Sequence, residues 1–302
     1  MKVSTSLFFD RASQQMVAGQ QRLSQLQLQL GTGKKINNAS DAPDQASTLR
    51  RLSTTIAQQE SYKKNLGSLT ERLENQDTAL QNVSSMMIRL RELSVQYANG
   101  TLSAEQRRIA AVEVRGVRDQ ILSLANSRDS NGLGLFNGSR VVADAFDPNG
   151  VYQGDQTSND VPVGDSRAVS NRRTGSDVFI SVIRSNGGAE QAVGFFKVID
   201  DLATALENNQ VSGVQRGIGE LTQLHQGISL AQADIGSDRN VVDSQLVASE
   251  EQLVRLKSLE SDLQDVDYAE AVTRMQKEML SLQAAQSSFA QLSKLNLFNY
   301  IG

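Results

Sequence analysis

Apolar residues recur at alternating spacings of three and four along both ends of the chain. Residues at this spacing form one stripe along a helix, and a second helix must cover that stripe. The remaining positions are mostly Gln, Ser and Ala, and no charged residue occurs from Met279 to Ser293. Both terminal helices are therefore predicted to be buried against protein, at least in part within an assembly. Their stripes consist of Met16, Gly19, Leu23, Leu26 and Leu30, and of Met275, Met279, Leu282, Gln286 and Phe289.

A longer stripe of the same kind, called a seam below, predicts a long second helix. This helix runs from near Asp44 to Asn99-Gly100, a pair that ends helices. A helix from about 45 to 99 would be roughly 80 Å long, which favours a rod over a compact domain. We expect this seam to be core within the chain. Its members are Tyr62, Leu66, Leu69, Leu73, Gln76, Leu80, Val83, Met87, Leu90, Ser94 and Tyr97.

The pattern changes beyond this helix. Ser103-Ala-Glu-Gln106 is typical of a capping box and predicts the start of a third helix. The apolar spacing of this helix ends at Asn126. Between 131 and 188, Gly, Asn, Asp and Ser are frequent, three Asn-Gly pairs suggest hairpins, and Val178–Ile183 is a strand candidate. Helical spacing returns near Glu190 and again from Val211, until Asp265-Val-Asp-Tyr interrupts it.

The predicted fold class is therefore mainly α with a β-rich insert (α+β), a long antiparallel helical rod. Residues 1–44 and 265–302 are expected to form terminal coiled-coil helices, and 45–137 with 190–264 a long-helix bundle. Residues 138–189 are expected to form a small β-rich outer domain inserted in mid-chain.

Composition narrows the possible functions. The net charge of −4 favours neither nucleic acid nor an anionic membrane surface, and without cysteine there can be no disulfide or thiolate chemistry. The first residues lack the apolar core of a secretory signal, and no segment reaches the roughly 18–20 apolar residues of a membrane span. By these rules the protein would be cytosolic, unless it is exported without a signal peptide.

Candidate chemistry is sparse. His225 is the sole histidine, which excludes a catalytic triad or a histidine metal cluster. Gly132-Leu-Gly134 and Gly33-Lys34 lack the rest of a nucleotide-binding loop. The acidic residues of 144–155 miss the spacing of a calcium-binding EF-hand. We therefore predict no catalytic, cofactor-binding or metal-binding residue and no enzymatic activity.

Two motifs resemble the bacterial flagellin family. Gly33-Lys-Lys-Ile-Asn-Asn-Ala-Ser-Asp-Ala-Pro43 is similar to the segment that follows the first terminal helix of flagellins and their relatives. Asp265-Val-Asp-Tyr-Ala-Glu-Ala271 resembles the acidic turn that opens their last helix. The resemblance covers about 1–137 and 190–302 and leaves out the insert.

Within this family, both chain ends resemble the hook-associated members more than the filament flagellins. The similarity lies in Val3-Ser-Thr-Ser-Leu-Phe-Phe9 and Leu295-Asn-Leu-Phe-Asn-Tyr-Ile-Gly302, and the Leu-Leu ending of many flagellins is missing. This resemblance implies a structural axial protein of the bacterial flagellum. Such a protein would form the junction ring between hook and filament and template the assembly of flagellin.

The resemblance also implies location and partners. The protein would be extracellular, exported through the flagellar type III apparatus without a cleavable signal peptide. Its partners would be further copies of itself, the adjacent hook-associated protein, flagellin and an export chaperone. Nucleic acid, membrane, cofactors and small-molecule substrates are not expected.

Two alternatives remain open: a short flagellin, and a coiled-coil secretion or partner-binding protein unrelated to flagella. The assembly interface is predicted to lie in the terminal helices. Its predicted residues are Leu23, Leu26, Leu30, Met275, Met279, Leu282, Phe289, Leu292, Leu295, Leu297, Phe298 and Tyr300.

Overall fold

Helices account for most of the chain. The computed structural model describes residues 2–140, 144–157, 160–164, 167–170, 173–186 and 189–301. The helices within these residues are α1 (Lys2–Thr32), α2 (Pro43–Tyr97), α3 (Ala104–Ala125), α4 (Gly175–Val178), α5 (Phe195–Glu207), α6 (Val211–Gln264) and α7 (Tyr268–Ile301). The strands are β1 (Asp160–Pro162), β2 (Ala168–Ser170), β3 (Val182–Asn186) and β4 (Ala189–Val193). The prediction of a mainly α fold with a small β insert is confirmed.

The chain divides into two compact units. The first unit comprises Met1–Gln58 and Gln252–Gly302, and the second comprises Gln59–Glu251. The first unit thus holds α1 and α7 together with one end each of α2 and α6. The second holds the rest of the two long helices, α3, α5 and the insert.

The seam predicted along α2 is the core of the second unit. Each of its residues from Tyr62 to Ser94 is buried, and Tyr97 at the helix end is half-buried. Gln76, a polar member, donates its Nε2 to the carbonyl of Leu135 at 2.9 Å. A buried amide is tolerated at this position because the hydrogen bond offsets its desolvation.

Helix α3 begins and ends where the sequence indicates. Ser103 accepts a hydrogen bond from the backbone N–H of Gln106, and the Gln106 side chain accepts one from the N–H of Ser103. This is the predicted capping box, which satisfies two N–H groups at the helix start. Asn126 is the C-cap, and the helix packs against α5.

The insert contains two separate antiparallel hairpins. Val161 of β1 pairs with Val169 of β2, and Arg184 of β3 pairs with Gln191 of β4. Five phenylalanines pack with ring centroids 5.1–5.9 Å apart and join the insert to α5. These phenylalanines are Phe136, Phe146, Phe179, Phe195 and Phe196.

Two local predictions for the insert are wrong. The predicted strand at Val178–Ile183 begins only at Val182, because Thr174 caps the short helix α4 by accepting a hydrogen bond from the N–H of Asp177. The helical pattern expected from Glu190 is instead strand β4, and helix α5 starts at Phe195. In this segment, pairing with β3 outweighs local helix propensity.

Two of the three Asn-Gly pairs form hairpin-like turns, as predicted. Gly132 and Gly150 have φ values of 75° and 77°, which glycine adopts without steric cost. The turns close on the bridges Arg128↔Gly134 and Phe146↔Tyr152. Asn137 bridges to Thr174 instead, so the third pair does not close a hairpin.

Candidate assembly surface

Helices α1 and α7 lie side by side and run antiparallel within the first unit. The contacts between them occur in opposite order along the two helices. The rings of Phe9 and Phe289 meet edge to face with their centroids 5.3 Å apart. A Cβ on Gly19 would lie 3.6 Å from Leu282 Cδ1. The pairs, in order along α1, are Phe9 with Phe289, Gly19 with Leu282, and Arg22 with Glu278.

Most of the described residues of the predicted stripes face the partner helix. Gly19 is buried and seven others are half-buried, as expected for two helices that cover each other on one side only, whereas Gln286 is exposed. These half-buried residues are Met16, Leu23, Leu26, Leu30, Met275, Leu282 and Phe289.

Met279 is placed differently. Its side chain is 49% exposed, and the neighbouring Glu278 occupies the seam position that faces α1. The remaining predicted interface residues have side chains outside the described part of the chain. They are Leu292, Leu295, Leu297, Phe298 and Tyr300.

Hydrogen bonds join residues 33–35, which follow α1, to residues 262–266, which precede α7, and we call this connection the clasp. The N–H of Lys35 donates to the carbonyl of Gln264 at 2.7 Å, and the N–H of Val266 donates to the carbonyl of Gly33 at 2.9 Å. The Lys35 Nζ donates to the carbonyl of Asp262 at 3.0 Å. The two segments singled out in the sequence, 33–43 and 265–271, thus meet in space.

Gly33 lies in a position that favours glycine. Its φ is 74°, and a Cβ would lie 3.0 Å from the hydroxyl of Tyr268. The positive φ favours glycine at this turn, and a Cβ would also be in tight contact with the Tyr268 hydroxyl.

The outer faces of both helices carry exposed apolar side chains. Leu28 is 49% exposed, Val17 is 52% exposed, and both lie half a turn from the seam of α1. Leu280 is 68% exposed on the side of α7 that faces away from α1. The sequence stripes did not include these three residues, although their charge-poor surroundings were visible.

Charge is scarce around these apolar residues. From Ser13 to Gly33 the sole charged residue is Arg22, and it forms an ion pair with Glu278, with Nε and Oε1 3.0 Å apart. The run from Met279 to Ser293 has none. Exposed apolar side chains in such a setting are typical of protein–protein contact surfaces.

Residues considered above for catalysis or metal binding form hydrogen bonds or ion pairs with other side chains. His225 Nε2 lies 2.9 Å from Ser84 Oγ in the second unit. Asp144 forms an ion pair with Arg128 at 2.8 Å. Asp155 accepts hydrogen bonds from Ser139, which lower the pKa of this carboxyl.

No cluster of acidic or histidine residues suited to a metal ion occurs in the described ranges. No helix in the part of the chain that the structure describes has a stretch long and apolar enough to cross a membrane.

Comparison with known proteins identifies the family. The bacterial flagellin N-terminal helical region matches residues 3–140, and the bacterial flagellin C-terminal helical region matches residues 218–301. Together the two matches cover well over half of the chain and include both terminal helices. The chain belongs to the bacterial flagellin family.

Within the family, the chain is similar to hook-associated proteins over its whole length. It is 26% identical to flagellar hook-associated protein 3 of Salmonella typhimurium, with 99% of each chain covered. It is 21% identical to the flagellin of Listeria innocua, with 98% of this chain and 96% of the flagellin covered. A solved structure of flagellar hook-associated protein 3 from Legionella pneumophila has the same fold. It aligns with a TM-score of 0.63 and 18% identity over 71% of this chain and 98% of that chain.

Proposed function

We propose that the protein is a structural component of the bacterial flagellar axis that forms the junction between hook and filament. The observation that carries this proposal is the end-to-end similarity to a hook-associated protein 3, at higher identity than to the flagellin. The alternative, a short flagellin, shares the terminal helices but is less well supported.

The uncovered outer faces of α1 and α7 support a role in assembly. Two helices that pack only on each other leave most of their surface in water, and over 13–33 and 279–293 this surface carries exposed apolar residues among Gln, Ser and Ala, with Arg22 as its one charge. Burial in a ring of copies would remove Val17, Leu28 and Leu280 from water, a gain of roughly 25 cal/mol for each Å² of apolar surface.

We assign two different roles to the residues of the terminal helices. The seam residues such as Leu26 and Leu282 hold the two helices of one chain together. The outward residues, Met279 among them, contact neighbouring copies. We also propose that the predicted residues from Leu292 to Tyr300 take part in the assembly interface. The division of the chain into terminal helices, long-helix bundle and outer domain is likewise proposed.

The proposed partners follow from this role. They are further copies of the chain, the adjacent hook-associated protein on one side, flagellin on the other, and an export chaperone beforehand. The protein acts outside the cell after export without a cleavable signal, and it has no enzymatic activity.

Polymerisation of the purified full-length chain tests the proposal. The chain is incubated in a precipitating salt with filament fragments as seeds, and again with flagellin monomers, and followed by light scattering and electron microscopy. A junction protein is expected to stay monomeric or form short rings alone and to promote the growth of added flagellin. Long filaments of the chain alone would instead establish the flagellin alternative.

A further inference from the structure

The ion pair between Arg22 and Glu278 joins α1 to α7 in a groove that Arg274 and Lys277 also line. Arg22 Nε donates to Glu278 Oε1 at 3.0 Å, and Nη2 donates to Oε2 at 3.4 Å, so the guanidinium faces both carboxylate oxygens. We propose that this pair fixes the register of α1 against α7 along the helices, beyond the clasp at residues 33–35 and 262–266. The inference concerns pairing within one chain and holds whether or not the junction role is correct.

Glu278 occupies a position where an apolar residue would stabilise the seam more. It lies between Met275 and Leu282 at spacings of three and four, and its side chain is 28% exposed. Met279, one residue later, is 49% exposed. A polar residue at one seam position of a coiled coil is the best-attested device for fixing register, at some cost in stability.

Two contacts already favour the native register at the two ends of the helix pair, the clasp at one and the rings of Phe9 and Phe289 at the other. Between these two contacts the apolar seam gives little discrimination between registers. The residues around the stripes are repeated Gln, Ser and Ala, and Leu follows Leu at helical spacing along α1. A shift of one heptad would therefore place apolar residues against apolar residues again.

The same shift would separate the charged pair. In one direction Arg22 would face Ala285 and Glu278 would face Gln29. In the other direction Arg22 would face Ala271, next to a Glu270 that already pairs with Arg274, and Glu278 would face Gln15. Both shifted arrangements leave each charge opposite a neutral residue, so the ion pair distinguishes the native register from its nearest competitors.

Disulfide cross-linking in the full-length chain measures the register directly, since the chain has no cysteine of its own. Gly19→Cys with Leu282→Cys reports the native register, because a Cβ at position 19 lies close to Leu282. Gly19→Cys with Phe289→Cys or with Met275→Cys reports the two shifted registers. The ratio of shifted to native cross-link is compared among variants at equal oxidation time.

Arg22→Gln and Glu278→Gln are each expected to raise this ratio about threefold, the size of effect that exposed ion pairs reach. The swapped variant Arg22→Glu with Glu278→Arg is expected to restore the parent ratio. Arg274→Gln is the matched control, since Arg274 lines the same groove but pairs with Glu270 on its own helix.

A purely structural role would lower the yield of all cross-links together without changing their ratio. The inference is overturned if Arg22→Gln leaves the ratio unchanged or if the swapped variant fails to restore it. It is also overturned if the parent chain gives no excess of the native cross-link.

Discussion

Arg184 holds Glu220 through two parallel hydrogen bonds, from Nε to Oε1 and from Nη2 to Oε2, each 2.8 Å long. Its third nitrogen, Nη1, donates to Asp201 Oδ2 at 2.7 Å. One guanidinium thus connects strand β3 with helices α5 and α6. Both carboxylates are largely shielded from water, and their hydrogen bonds raise the pKa of Arg184, with Glu220 the main cause.

Removal of this guanidinium should destabilise the second unit. Arg184→Met leaves Glu220 buried without its main partner, and we expect a loss of about 3 kcal/mol in the free energy of unfolding. The urea midpoint measured by circular dichroism checks the loss. Hydrogen exchange of peptides from β3 and α6 locates it.

Arg216→Met is the matched control for that measurement. Arg216 is half-exposed and lies 3.6 Å from the same Glu220 carboxylate. Its removal should cost no more than about 0.5 kcal/mol. Equal effects of the two substitutions would contradict the importance assigned to the bidentate geometry.

The same network predicts a loss of stability in acid. Burial opposes ionisation of Asp201, but hydrogen bonds from Lys197 and Arg184 outweigh it, so its pKa is lowered in the folded state. A lowered folded-state pKa contributes stability above the unfolded-state value of about 4, and this contribution disappears as the pH falls below that value. We expect the urea midpoint to drop below about pH 4, and less steeply in Asp201→Asn. Parallel curves for the two proteins would refute this assignment.

Gly33 offers a test of the clasp between α1 and α7. Gly33→Ala must adopt a positive φ and place its methyl group 3.0 Å from the Tyr268 hydroxyl, so we expect a loss of about 1–2 kcal/mol. Gly31→Ala, in the open last turn of α1, should instead stabilise the helix by about 0.5–1 kcal/mol. Hydrogen exchange of α1 and α7 peptides distinguishes the two, and a neutral Gly33→Ala would argue against the clasp.

Substitutions at Leu282 and Leu280, two residues apart on α7, separate packing within one chain from packing between copies. Leu282→Asp places a charge in the seam, where we expect about 2 kcal/mol of lost local stability and ~30-fold faster exchange in the terminal helices. The helix bundle of the second unit should remain folded. Because the pair must form before it can pack into an assembly, this variant should also fail to incorporate, as should Leu26→Asp.

Leu280→Asp is expected to behave differently. Leu280 is 68% exposed, so the monomer should change by less than about 0.5 kcal/mol, while incorporation into rings should be abolished. Sedimentation of the assembled fraction measures incorporation. Normal assembly of Leu280→Asp would remove the outer face of α7 from the proposed contact surface.

Periodic spacing in the sequence was sufficient to predict the long seam of α2. From Tyr62 to Ser94 a single face is buried without interruption, so the spacing of apolar residues alone indicates it. The capping box at Ser103 and the breaks at Asp265 and Asn126 were equally visible, because their signals are local.

The insert and the details of the terminal seam depended on contacts distant in sequence. Ala189-Glu-Gln-Ala-Val193 contains good helix formers, yet it pairs with β3 as a strand. Glu278 could not be placed in the seam by apolar spacing, because its position there depends on Arg22, 256 residues away along the chain. The exposed Leu28 and Leu280 lie off the stripes and are identified only once the partner helix is known.

The uncharged run from Met279 to Ser293 determines how the contacts between copies would respond to their surroundings. Association through such a face is driven by release of water from apolar groups, so it strengthens on warming near room temperature and carries a negative heat-capacity change. Dissolved ions screen only charges, and this face has none to screen. Contacts made through this run would persist across media of very different salinity, and cooling would weaken them more than simple salt.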